Sequence, residues 1–504
     1  MTTRGSQRHA ALLGLICLIF VVLATANAGG YRYGIGDQAF YEPATQLRLN
    51  PDLFPRDRAL LESQARLTVI DETLAGAARL TGLDVPALFL TLYVITLVVV
   101  GVAAVSFSRV LGLSPWAMTA LLGLLTLRHR IAKTGANTLE GYMHPRQLAF
   151  GVGVLALTVS LKNRWVWTGV LWLVAAVIHP TTALWFGALI AGGIVVPKAL
   201  EDRPVAMVIS LLAVFTAVRL LARPLLEFWP GIEIMDPAWL AVFADKDYIF
   251  VSEWPLYAWV LNLAYLPIIW LVCRRRQRLG VAHPHEARLV GGAVALFAIF
   301  AAVAVLAEMH VALAVQLQVS RVFWLMDVML AVYGAWIITS DPAVTRVTRW
   351  APQLAVAAIV IFSIGRGIYT VGEGGADRQL VRMALPDDDW SRAMQWLKTQ
   401  PADWLVLADP DHAWKYGTSV RVAASRDVVL ESVKDNSISL YGRDVAMRVA
   451  ARTTKLSNFL AKSTDDMRAL GREFGATVVV TEATHVLALP RLYSNATLTV
   501  YDLR

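Results

Sequence analysis

The chain has 504 residues, 57% of them hydrophobic and only 17% charged, against about 25% charged in soluble domains. With a mean hydropathy of +0.53, that balance excludes a soluble globular protein and points to a multi-pass membrane protein. The formal net charge of +8 gives no reason to expect nucleic acid as a partner, because the basic residues cluster at the ends of apolar stretches, where orientation in the bilayer explains them.

Arg4 and Arg8 precede an apolar run over residues 10–26, slightly short of the ~20 residues that cross a bilayer. The run ends in Ala26-Asn27-Ala28, a small-x-small pattern. It is either a cleaved signal peptide or, as the polytopic chain behind it favours, a retained first helix. Cys17 lies in this run and Cys273 in a later one; as small hydrophobes in separate segments they imply neither a disulfide framework nor a thiolate metal site.

Residues 29–84 form a long first loop on the outer side. Asp37 follows the glycine- and tyrosine-rich run GGYRYGIG, just past the membrane boundary. An unpaired charge in hydrocarbon costs roughly 2.5 to 3.5 kcal/mol on insertion scales, so Asp37 is either a functional carboxylate or the cap of a short interfacial helix. Residues 59–80 carry apolar side chains at helical spacing with charges between them, the pattern of helices lying along the interface.

Ten further spans are expected, at residues 86–106, 114–127, 146–161, 165–178, 181–196, 205–222, 255–273, 289–307, 322–339 and 351–369, which makes eleven with the first, several of them shorter than a full crossing. His179-Pro180 sets the frame. Lys162 and Arg164 flank one end of residues 165–196, and Lys198 and Arg203 flank the other; both ends prefer the cytoplasm, so the segment crosses twice and turns at the proline. The N-terminus is then cytoplasmic and the C-terminus outside. Arg109, the run Arg274-Arg275-Arg276-Gln277-Arg278, Arg346 and Arg349 fall in inner loops, as that frame requires. Residues 128–146 break the rule by placing Arg128, Arg130, Lys133 and Arg146 outside. Such a loop is either a place for an anion, the reading preferred here, or a sign of a different topology.

Beyond residue 371 the composition is that of a soluble domain, which divides the chain into a transmembrane domain, 1–371, and an extracytoplasmic domain, 372–504. Helices are expected at 390–398, 445–462 and 463–474, the last with Ser463 as cap and Gly475 as stop; strands are expected at 404–408, 476–481 and 496–502. The fold class is therefore an all-α membrane domain followed by a small α/β domain. The Asp409-Pro410-Asp411-His412 stretch carries metal-compatible side chains but reads as a strand-end loop.

The outer ends of the spans gather Asp37, the 128–146 loop with His144 and Arg146, His179, Arg219 with Arg223, Glu308, His310, Gln316, Gln318 and Arg321. A one-sided collection of ionisable groups is the pattern of a site facing one compartment; a transport path would place them at mid-membrane. Each member also has a structural reading. His179 suits a helix-turn carbonyl, Arg219 can snorkel beside Arg223, and Glu308 and His310 can pair with Arg321. Arg321 beside Gln318 is the best phosphate ligand of the group, because a guanidinium meets phosphate through two parallel hydrogen bonds.

Gly36-Asp37-Gln38 in a long first outer loop, interfacial helices in that loop, the motifs HPR at 144–146 and HPTT at 179–182 on one side, and a terminal exported α/β domain together resemble the GT-C type membrane glycosyltransferases. The resemblance implies a polyprenyl-phosphate-linked sugar as donor, a glycan, lipid or protein acceptor outside the cytoplasm, and a place in a bacterial inner membrane. It implies Asp37 as the catalytic acid/base residue. Arg321, Arg130, Lys133, His144, Arg146, His179, Arg219, Glu308 and His310 would serve the lipid phosphate or the substrate. Many relatives carry a paired acidic motif where Gln38 follows Asp37 here; no residue is assigned to a metal, and a divalent cation is the one cofactor left open. A lipid-linked glycan transporter or flippase and a non-catalytic envelope assembly protein are the competing classes.

Overall fold

The computed structural model describes residues 3–196, 209–210, 212–213, 216–221, 231–373 and 379–504. The span expected at 205–222 is described only in part, and Lys198, Arg203 and Arg223 lie outside the described residues. In chain order the main helices are α1 (Thr3–Asn27), α2 (Gln38–Leu49), α3 (Arg58–Ala65), α4 (Ile70–Thr81), α5 (Val85–Val110), α6 (Pro115–Leu125), α7 (Pro145–Leu161), α8 (Trp165–Ile178), α9 (Pro180–Val195), α10 (Leu256–Arg278), α11 (Ala287–Glu308), α12 (Val322–Ser340) and α13 (Ala351–Gly372). Among the described residues, five helical stretches are long and apolar enough to cross a membrane: Val85–Val110, Leu256–Arg278, Ala287–Glu308, Ala312–Thr345 and Ala351–Gly372. The apolar helices Gly14–Asn27, α6, α7, α8 and α9 are shorter.

Local chemistry explains where these helices begin and end. Ser114 accepts the Ala117 N–H at the start of α6, with Pro115 in the first helical position. His144 and His179 cap α7 and α9 in the same way, each followed by proline; proline suits that position because its missing N–H would have no helical partner. The expected amphipathic stretch at 59–80 divides into α3 and α4, and α4 stops at Gly82, whose φ of +71° is left-handed.

The chain folds as two compact units. A helical unit comprises Met1–Tyr31, Leu92–Ile234 and Lys246–Leu380; an α/β unit comprises Arg32–Thr91, Met235–Asp245 and Val381–Arg504. The first loop thus folds together with the C-terminal residues.

In the helical unit, α9 and α11 meet through glycines. A Cβ on Gly192 would lie 2.2 Å from the Ala295 Cβ, and one on Gly292 would lie 2.3 Å from the Leu189 carbonyl oxygen. This backbone approach maximises van der Waals contact where lipid supplies no hydrophobic drive between helices. Phe150 stacks on Trp324 at 4.0 Å and meets Phe186 edge-on at 5.2 Å, joining α7, α9 and α12. One ion pair, Arg276 with Glu286 at 2.7 Å, is fully buried and lies against Trp336.

The C-terminal part of the α/β unit runs α14 (Asp389–Lys398), β1 (Leu405–Leu407), α15 (His412–Tyr416), α16 (Val420–Ala424), β2 (Asp427–Val428), α17 (Ser432–Ile438), α18 (Arg443–Leu456), α19 (Thr464–Phe474), β3 (Val478–Glu482), β4 (Arg491–Ser494) and β5 (Leu498–Asp502). The sheet order is β2-β1-β3-β5-β4, with β2, β1 and β3 parallel and the last two joins antiparallel. Trp390, Met394 and Leu397 of α14 pack on Val406, Val478, Val480, Leu498 and Val500. The expected helix at 463–474 forms with a reciprocal Ser463–Asp466 capping box and Gly475 at its end. The helix expected at 445–462 stops at Leu456, because Asn458 takes a left-handed φ of +52° and a short 3₁₀ turn follows.

Candidate functional site

Asp37 belongs to the α/β unit. Four glycines, Gly29, Gly30, Gly34 and Gly36, take positive φ before it, conformations that cost other residues strain. They turn the chain so that Asp37 stands at the N-terminus of α2. It makes no capping hydrogen bond there. Its carboxylate instead accepts from the ammonium of Lys434 on α17. The neighbouring Gln38 is fully buried and its Oε1 accepts the Gly34 N–H at 2.8 Å, so it braces the turn. Glu42, on the same helix, accepts from the Tyr33 hydroxyl at 2.9 Å and from Gln46 at 3.0 Å. Burial pushes the Glu42 carboxyl up to about 7.

The first loop enters a buried charge network in this unit. Arg421 donates to Asp57 at 2.8 Å and holds Asp435 with two hydrogen bonds, 2.6 and 3.0 Å, while Arg448 also donates to Asp57. Burial works against the Asp57 carboxylate, but the charges of Arg421 and Arg448 outweigh it and hold its pKa low. Glu431, buried beside Asp435, is pushed up to about 7 by desolvation and then by that neighbour's charge.

The remaining candidates belong to the helical unit, where His144 and His179 are the caps of two neighbouring helices. Nδ1 of His144 accepts the Arg146 N–H at 3.1 Å. Nδ1 of His179 accepts the Thr182 N–H at 3.3 Å and faces the hydroxyls of Thr181 and Thr182. His179 thus has a helix-end role, but as the acceptor of an N–H at a helix start where a carbonyl was expected as its partner. The two rings lie 6.3 Å apart, so two helix N-termini converge. Burial, and then its neighbours His144, Arg321 and Arg146, push the His179 imidazole below its ordinary value, so it stands beside the two guanidiniums as a neutral ring. Arg146 is 4% exposed. Its guanidinium lies over Trp324 and bonds Glu140 at 3.2 Å. Beside these residues in sequence, Gln147 Nε2, Gln318 Oε1 and Ser320 Oγ are buried and have no hydrogen-bond partner among the described residues.

Other members of the expected set have other occupations. Lys133 pairs with Asp247, and Arg130 and Arg219 are exposed. Glu308 accepts the Ser252 N–H at 2.9 Å and its hydroxyl at 2.8 Å, using both oxygens. His310 is exposed with a left-handed φ of +61° and lies against Phe250.

Two carboxylates were missed in the sequence. Glu140, 4% exposed, sits between Arg146 and Arg128 and accepts from Asn137, so the 128–146 loop carries its own counter-charge. Asp327 on α12 accepts from Tyr265 at 2.9 Å and faces His129 Nε2 at 3.1 Å. His129 Nδ1 faces the Leu127 carbonyl at 3.2 Å, and with an acceptor at each nitrogen the ring is an imidazolium. The bond to Asp327 raises its pKa. A lone acid in an apolar segment was the available signal for Asp327.

Among the described residues no group of three or more His, Cys, Asp or Glu converges as a metal site. Asp37 faces an ammonium where a second carboxylate would serve a divalent cation, so the residues around it do not fit that cofactor. No protein-family model matches this sequence, and no curated protein matches it.

Proposed function

We propose that this chain is a GT-C type membrane glycosyltransferase that moves a sugar from a polyprenyl-phosphate donor to an extracytoplasmic acceptor. In this reading it has eleven spans in a bacterial inner membrane, a cytoplasmic N-terminus and an exported C-terminal domain. The observation that carries it is the convergence, in the helical unit, of two helix N-termini capped by His144 and His179 with Arg146 and Arg321. Helix N-termini present N–H groups and a partial positive charge, and guanidiniums give charge-assisted bonds to phosphate oxygens. That combination suits a lipid phosphate, which must leave as an anion without a protonating acid.

The reaction requires little else. The acceptor hydroxyl oxygen attacks the anomeric carbon, the bond from that carbon to the phosphate oxygen breaks, and its electron pair leaves with the phosphate. The acceptor proton passes to a carboxylate, for which Asp37 is the candidate, and the anomeric configuration inverts. Asp37→Asn in reconstituted vesicles supplied with a polyprenyl-phosphate hexose is expected to lose at least ~100-fold in turnover, the scale of a positioned acid/base. Wild-type turnover in that variant would remove Asp37 from the reaction.

The second reading is transport of an intact lipid-linked glycan, favoured by Asp327, a carboxylate within an apolar helix with Tyr265 and His129 against it. Movement of the labelled lipid across the vesicle without a new glycosidic bond would select it.

A further inference from the structure

We propose that Lys434 is a positioning residue for Asp37, fixing where the carboxylate points and keeping it in the ionised form a proton acceptor needs. The inference rests on the reading of Asp37 as the base, and its geometry lies wholly within the α/β unit.

The helix that carries Lys434 is anchored before that lysine reaches outward. Glu431 caps α17 by accepting the Lys434 N–H at 3.2 Å, and its own N–H donates to Asp435 at 3.1 Å. Arg421 then ties Asp435 to Asp57 of the first loop. A second tie runs in parallel, with the backbone N–H groups of Arg56 and Asp57 donating to Asp427 at 3.0 and 3.1 Å. The first loop and α17 are therefore locked through Asp57, some twenty residues past Asp37. The Lys434–Asp37 pair closes the frame at its other end.

The exposures of the two partners argue against an ordinary surface pair. The Lys434 side chain is 16% exposed and that of Asp37 is 37% exposed: the lysine side chain is the shielded member of the pair and the aspartate side chain the more accessible one. A surface lysine ordinarily does the reverse, keeping its head in water. A shielded cation at hydrogen-bond range stabilises the carboxylate anion, typically lowering its pKa by about 1 to 3 units. It also holds one oxygen, so the carboxylate cannot rotate freely. The first effect extends the range over which the carboxylate is ionised to lower pH, and the second aims it. The consequence for the second unit of the chain is specific: α17 completes the first-loop carboxylate, so this domain is more than an appendage.

The test is a titration of Asp37 itself, read as the pH dependence of carbodiimide modification of the full-length protein by mass spectrometry, since the reagent takes the protonated carboxyl. In Lys434→Met the midpoint for Asp37 is expected to rise by about 1 to 3 units, and in Lys434→Arg to stay near wild type. Lys434→Gln removes the same charge with a polar side chain and gives the same comparison should the methionine variant unfold. With the polyprenyl-phosphate hexose, the acid limb of turnover is expected to move up in step with the Asp37 midpoint; a merely structural lysine would change the yield of folded protein without moving that limb. An Asp37 midpoint that is the same in wild type, Lys434→Met and Lys434→Gln overturns the proposal. Wild-type turnover in Asp37→Asn would instead remove the function assigned to Asp37 while leaving the titration result standing, so the two failures are separable.

Discussion

Buried arginines are treated in two ways: Arg276 of the helical unit, like Arg421 of the α/β unit, is matched by buried carboxylate, whereas Arg146 is matched only in part. Arg421, 1% exposed, meets two carboxylates through three hydrogen bonds, and Arg448 adds a second guanidinium to the shared Asp57. Arg146, 4% exposed, has one carboxylate, Glu140, which it shares with Arg128, and a tryptophan face. Buried charge is tolerated only when paired and hydrogen-bonded. Where the chain supplies matching charge, the network is architecture. Where two guanidiniums share one carboxylate beside two helix N-termini and buried polar atoms without partners among the described residues, positive potential is left over, and on the proposed reading an anion from outside the chain matches it.

The comparison breaks most readily at Arg421. Arg421→Met leaves Asp57 and Asp435 buried without the cation between them, and removing one partner of such a network costs about 3 to 5 kcal/mol. Thermal unfolding and limited proteolysis of the full-length protein should show the first loop and the C-terminal residues losing protection together. A variant within 1 kcal/mol of wild type would mean that the network is incidental to the fold.

The helical unit should respond in the opposite sense, losing ligand before it loses stability. Arg321→Gln removes a cation that acts on His179 and, on the proposed reading, a charge-assisted contact to phosphate worth roughly 1.5 to 3 kcal/mol, or about 10- to 150-fold in affinity. Binding of polyprenyl phosphate to the protein in nanodiscs measures this, with the unfolding temperature recorded in parallel. Unchanged binding would place the phosphate elsewhere.

What could be read in the sequence follows the range of the physics. Helix existence was legible from apolar length, and the Ser463 and Gly475 signals gave α19 nearly to the residue because capping is local. His144, Arg146, His179 and Arg321 were legible as ionisable groups near the ends of apolar segments, and the structure brings these four together. The shared role of His144-Pro145 and His179-Pro180 as helix starts was written in the dipeptides themselves. Partnership across the chain was not legible. Nothing near Lys434 names Asp37, nearly four hundred residues away, and nothing local marks Glu140 as the counter-charge of Arg146 and Arg128. The expected pairing of Glu308 with Arg321 assumed the nearest cation in sequence, whereas Ser252 takes both of its oxygens. Strands β2 and β4 escaped for a related reason: two or four residues carry too little periodicity to stand out, and their pairing is decided by neighbours elsewhere in the sheet.

The smallest expected effect sharpens the comparison within the helical unit, at Asp327. Its carboxylate is matched by His129 and Tyr265, so on the glycosyltransferase reading, as opposed to the transport one, this site should behave as architecture despite lying near the cation cluster in sequence. His129 has a raised pKa in the folded protein through its bond to Asp327. The unfolded chain therefore binds the proton less tightly, and the pair adds stability that is fully present below the ordinary histidine value near 6.5. That stability is lost as pH rises through the higher folded value, because the neutral ring gives up one of its two donated hydrogen bonds. His129 is half-exposed, which limits the gain to about 1 kcal/mol or less. Wild-type protein in detergent should thus be slightly more stable at pH 5.5 than at pH 8.5 on account of this pair, and Asp327→Asn should remove that part of the difference while lowering the His129 pKa measured by NMR of labelled histidine. A His129 pKa that does not fall in Asp327→Asn would mean that the imidazolium is held by something other than this carboxylate, and the division between matched and unmatched charge would have to be redrawn inside the helical unit itself.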